Sequence, residues 1–123
     1  MRGGIDVVGT IIAGGTVVAV AMMLYGSWFG GTIASLDATV AAVWVFAATF
    51  VAVGVTHGVT SRPDLALGHG GAGAGLVIVL IADTGPQVAI GLLVLFLAGA
   101  YVVVITLRDR RKAREAMADV APD

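Results

Sequence analysis

Four long apolar stretches, with every basic residue on one side of them, constrain this chain more than any other feature. They run roughly Val7–Trp28, Ala38–Thr56, Leu65–Ala82 and Val88–Leu107. Each is about the length a helix needs to cross a ~30 Å hydrocarbon core. A chain that crosses four times puts Arg2 before the first span and Arg62 between the second and third. Arg108, Arg110, Arg111, Lys112 and Arg114 follow the fourth. All of these fall on one face. The other face receives Asp37 and Asp83 and no basic residue. This is the positive-inside pattern, which orients a chain with its basic loops in the cytoplasm. The expectation is an all-α polytopic protein of the cell membrane. Four transmembrane helices would form a bundle with both termini cytoplasmic. A four-span domain over 1–107 would be followed by a short, basic, helical cytoplasmic tail over 108–123.

Composition supports the same class. Hydrophobic residues make up 59% of the chain and charged residues 12%, too apolar for an ordinary soluble domain. At 123 residues there is room for one domain. The net charge of −1 conceals an asymmetry, because five of the seven basic residues lie in the last sixteen positions. Cysteine is absent, which removes disulfides, thiolate metal sites and a cysteine nucleophile. Asparagine is also absent and lysine occurs once, a pattern in keeping with a high-G+C prokaryotic coding bias. Arg2 followed by an apolar run also resembles the start of a signal peptide, with Ala34 as a cleavage point. The run is longer than a usual h-region and ends in Trp28 and Phe29, so it is read as a retained span.

The punctuation between spans is legible. Tyr25, Trp28 and Phe29 mark the outer end of span one, since aromatic rings favour the membrane–water interface. A short connector, Gly30–Leu36, leads to span two. Pro63 disfavours helix at Arg62, which places the inner turn at about Gly58–Asp64. Asp83-Thr84-Gly85-Pro86 is a turn, with Pro86 suited to the first turn of span four. Span three is the weakest helix on propensity. Its first half reads Gly68-His69-Gly70-Gly71-Ala72-Gly73-Ala74-Gly75, and each glycine costs about 1 kcal/mol relative to alanine. Unsatisfied backbone groups in lipid cost several kcal/mol each, so helix is still expected.

That glycine run matches G-x-G-x-x-G, but it lacks the preceding strand and the later acidic residue a dinucleotide site requires. Packing explains it better. Gly68, Gly71, Ala72 and Gly75 recur at i, i+3, i+4 and i+7 and form a smooth stripe for close helix approach. Gly15/Ala19, Gly26/Gly30, Ala48/Ala52 and Gly54/Gly58 are further small-residue pairs.

His57 and His69 bracket the inner turn, with Arg62 and Asp64 between them. Histidine titrates near neutral pH and ligates metals. Two histidines and the Asp64 carboxylate would make a three-ligand proton or metal site. Against this, polar residues gather wherever helices meet water, and the spacing matches no standard ligand pattern. Arg108, Arg110, Arg111, Lys112 and Arg114 would sit beside the inner leaflet, each contributing about 1 kcal/mol of attraction to anionic lipid. Such a run also serves as a stop-transfer anchor. It carries no nucleic-acid-binding module.

No Asp, Glu, Lys or Arg lies inside a span. Proton relays and charged-substrate sites normally use such residues, which lowers the case for coupled transport. Thr16, Thr49 and Thr56 remain as hydroxyls able to line a polar path. Ser27, Ser35 and Ser61 have no histidine and acid at catalytic spacing, so no enzyme activity, cofactor or soluble substrate is expected.

In length and span number the chain resembles small multidrug transporters and small fluoride channels. The first family depends on a membrane-embedded glutamate in its first span, and none is present here. The second depends on a pore asparagine, and this chain has no asparagine. Phage holins are similar in having several short spans and a charged tail. These resemblances are architectural, and no functional residue carries over. The expected role is a non-enzymatic helix-packing subunit or accessory protein, in a homo-oligomer or a larger membrane complex. The alternative is an oligomeric channel, a small transporter or a holin-like permeability protein.

Overall fold

A computed structural model of the protein describes residues 6–118. Arg2 and the tail residues Val120 and Pro122 lie outside the described residues. Four helices long and apolar enough to cross a membrane account for most of the chain. They are α1 (Val7–Phe29), α2 (Ala38–Val59), α3 (Pro63–Leu80) and α4 (Gly85–Ala118). The glycine-rich first half of α3 is helical throughout, so backbone satisfaction outweighs poor propensity there.

Local chemistry sets the ends. Asp6 caps α1 by accepting the Gly9 N–H at 2.9 Å, and Gly30 closes it in the left-handed region at φ 60°. Asp37 caps α2 by accepting the Thr39 and Val40 N–H groups. The Gln87 side chain reaches back to accept the Asp83 and Thr84 N–H groups at 2.9 and 3.1 Å. That is half of a capping box on α4, with Thr84 at the cap position. The turn between α2 and α3 closes with the Arg62 N–H donating to the His57 carbonyl at 2.9 Å and Ser61 at φ 60°. This is a Schellman-type ending with serine where glycine is usual. It is also tighter than the Gly58–Asp64 turn expected, because α2 runs on to Val59 and α3 begins at Pro63.

The connector after α1 is more ordered than expected. Two antiparallel strands, β1 (Thr32–Ile33) and β2 (Leu36–Asp37), pair Thr32 with Asp37 and Ile33 with Leu36. Ala34 and Ser35 between them have φ 50° and 67°. Two successive positive φ values make a type I′ turn, whose twist suits a two-residue hairpin.

The helices pack in chain order, α1 on α2, α2 on α3 and α3 on α4. Helix faces explain the arrangement. On α3, Gly68, Gly71 and Gly75 face α4, while Gly73 faces α2 and Gly70 lies under Gly54 of α2. At about 100° per residue these two sets point in nearly opposite directions. On α2, Ala38 and Thr49 meet α1, while Ala47, Val51 and Gly54 meet α3, again on nearly opposite sides. Opposite faces generate an open row in which each helix packs mainly on its neighbours in the chain, an arrangement the expected bundle of four helices did not specify. Burial agrees. α1 contributes only Ala19 and α4 only Gly91 to the buried set, while α2 and α3 contribute the rest. The buried residues are small; the largest fully buried side chain is Val53.

Candidate functional site

The helix contacts are built from missing side chains. A Cβ on Gly75 would lie 2.7 Å from the Leu95 nitrogen and 2.9 Å from the Gly91 carbonyl oxygen. One on Gly71 would lie 3.2 Å from the Ala98 Cβ, and one on Gly68 would collide with Val102. Ala72 is buried beside them. The stripe Gly68, Gly71, Ala72 and Gly75 therefore lies at the α4 side of α3. A second glycine surface, on the opposite side, was hidden in the same run. A Cβ on Gly54 would lie 2.8 Å from the Gly70 nitrogen, and one on Gly73 would lie 2.7 Å from Val51 Cγ2. Gly15 nests against Thr49 in the same way, and Gly26 against Ala38. Backbone proximity of this kind gives van der Waals contact that lipid cannot mimic.

Polar groups gather at the end of the row that holds the α2–α3 turn. His57, in the last turn of α2, and His69, in the second turn of α3, have ring centroids 5.1 Å apart and planes tilted by 41°. His69 Nδ1 lies 2.9 Å from the Leu65 carbonyl, and the Phe50 and His69 ring centroids are 6.3 Å apart. The expected third ligand is elsewhere. The Asp64 carboxylate accepts the Leu65 N–H at 2.9 Å and faces Arg62 at 4.0 Å. Among the described residues, no three His, Asp or Glu side chains form a metal-ligand group. Asp64 is held by its own helix start, which is why the three-ligand set does not assemble.

Arg62 has a partner that the one-sided charge count concealed. Its Nη2 donates to Asp109 Oδ2 at 2.6 Å, joining the α2–α3 turn to the extension of α4. Asp109 sits inside a run of basic residues and is easily counted as diluting it. Its position, one residue past Arg108, aims it at the turn. Arg108, Arg110, Arg111, Lys112 and Arg114 lie on the continuous α4 helix, which runs unbroken past Leu107 to Ala118, and all five are exposed.

The threonines that might line a path are spent locally. The Thr49 hydroxyl donates to the Val45 carbonyl at 2.7 Å and the Thr56 hydroxyl to the Ala52 carbonyl at 2.8 Å. Thr16 is exposed on α1. No polar side-chain atom among the described residues is buried without a partner. Shallow hollows lie beside Leu107 and the basic residues of α4. Compared with known protein families, curated proteins and solved structures, the chain matches none.

Proposed function

We propose that this is a small integral protein of a prokaryotic cell membrane, with both termini cytoplasmic, that acts by helix packing. It serves as a non-enzymatic subunit or accessory protein, associated with further copies of itself or with a larger membrane complex. The observation that carries this reading is the open row. A closed bundle turns its larger side chains inward; this row leaves many of them outward. Val17, Val55, Phe96, Val104 and Leu107 are all more than half exposed. Lipid can cover such a surface, and so can protein.

Among the described residues, no buried polar side-chain atom is left without a partner, which supports a structural role over transport within one copy. An ion that sheds its hydration shell needs replacement ligands. The helix hydroxyls already bond their own backbones. Reconstitution tests the proposal. Proteoliposomes should hold a proton or potassium gradient as long as empty liposomes do. Rapid dissipation by the purified protein alone would overturn the structural-subunit reading in favour of a pore formed between copies.

A further inference from the structure

The histidine pair at the α2–α3 joint has the ring spacing of a ligand set. Two imidazoles bound to one tetrahedral ion, with metal–nitrogen bonds of ~2.0–2.1 Å, have ring centroids about 5 Å apart. His57 and His69 are at 5.1 Å, and their 41° tilt is not face-to-face stacking. The His69 Nδ1 contact with the Leu65 carbonyl supplies a second observation. A neutral imidazole meeting a carbonyl through Nδ1 donates its proton there, which leaves Nε2 with a free lone pair. Metal-bound histidines show this same outer hydrogen bond, which fixes tautomer and ring direction.

Charges around the pair act in both directions on a cation: Asp64 attracts it and Arg62 repels it. His57 stands in the last turn of α2, where the helix dipole favours positive charge. The charged groups that act on it are His69, Arg62 and Asp64. Arg62 would repel a metal, but its guanidinium is engaged by Asp109 at 2.6 Å and by Asp64 at 4.0 Å. Phe50 lies near the His69 ring, with 6.3 Å between centroids. With no cysteine in the chain, the donors are imidazole nitrogens, which suit zinc, nickel and copper over calcium or magnesium.

We infer that His57 and His69 bind one divalent transition-metal ion between α2 and α3, with water completing its coordination. The ion bridges two helices at their turn and tightens that end of the row. Binding requires both rings unprotonated. This inference does not depend on the proposed subunit role.

The test uses the full chain in mild detergent, with any purification tag removed and adventitious metal stripped by a chelator. Zn²⁺ titration by calorimetry should show one ion per chain, with at least tenfold weaker binding in both H57A and H69A. Helical circular dichroism checks that the variants are folded, and H57Q and H69Q serve if alanine is not tolerated. A spectroscopic measurement on the unaltered protein stands apart from folding of the variants. Cu²⁺ electron paramagnetic resonance should show coupling to two imidazole nitrogens. Zn²⁺ binding equal to that of the H57A/H69A double variant, or a Cu²⁺ spectrum without imidazole coupling, would overturn the inference.

Discussion

Gly75 of α3 and Gly91 of α4 meet backbone to backbone. A Cβ on either would lie 2.9 Å from the carbonyl oxygen of the other. Neither backbone can give way as a flexible side chain would, so alanine should be resisted at both positions. Gly75→Ala and Gly91→Ala are each expected to destabilise by ~1–3 kcal/mol, the usual cost of overpacking. Gly99→Ala is the control, since a Cβ there meets nothing within 4 Å. It should be neutral or stabilise by up to ~1 kcal/mol through helix propensity. Thermal melts of the three variants in the same detergent give the comparison.

The opposite face of α3 makes an independent prediction. A Cβ on Gly54 would press on the Gly70 nitrogen and, at 3.2 Å, on the Ala66 carbonyl. Gly54→Ala should cost ~1–3 kcal/mol as well. Combined with Gly91→Ala, the losses should add within ~0.5 kcal/mol, because the two contacts share no partner. Strong non-additivity in the double variant would mean that the two faces of α3 are not independent.

Two serines occupy backbone positions that favour glycine, Ser35 in the hairpin and Ser61 after α2, with φ 67° and 60°. Left-handed backbone costs a side-chain-bearing residue about 1–2 kcal/mol, partly offset by the greater chain entropy glycine loses on folding. Ser35→Gly and Ser61→Gly should each stabilise by ~0.5–1 kcal/mol. Lower melting temperatures in both would contradict the turn assignments.

The Arg62–Asp109 pair is about half exposed on both sides, 47% and 46%. Its contribution should therefore be small, ~0–1 kcal/mol, and should shrink as salt rises. A double-mutant cycle of R62A and D109N, run at low and high ionic strength, measures it. A coupling of several kcal/mol that ignores salt would show the pair to be shielded from water.

The proposed orientation rests on the positive-inside pattern, and the cysteine-free chain makes it simple to probe. Single cysteines at Ser35 and Asp83 should react with a membrane-impermeant thiol reagent in intact cells. A cysteine at Arg114 should react only after the cells are opened. The reverse pattern would invert the topology.

Span positions were legible because hydropathy and length act locally. The spans read at 7–28 and 38–56 correspond to α1 and α2 within three residues at each end. The helix contacts were also partly legible, through a rule not visible in any single motif. In an antiparallel helix pair with a short turn, residues equally far from the turn meet. His57 and His69 are each six residues from Pro63, and Gly75 and Gly91 are each eight from Asp83. What remained hidden was the second glycine face of α3, because a run so rich in glycine offers stripes in every direction. The open row was hidden too. Span number does not say whether α1 returns to α4, since that depends on whether the contact faces of α2 and α3 are opposed or at a right angle. The Gln87 cap could have been found from Thr84-Gly85-Pro86-Gln87, a T-x-x-Q signature at a helix start.

Association is the central claim, and the mass of the protein in its membrane environment tests it most directly. Native mass spectrometry of the untagged protein, released from lipid nanodiscs or mild detergent, resolves multiples of the 12.3 kDa chain. The open row predicts a discrete oligomer of that mass, or a stoichiometric complex with another membrane protein. A single 12.3 kDa chain, folded and free of partners at every protein concentration tested, would contradict it.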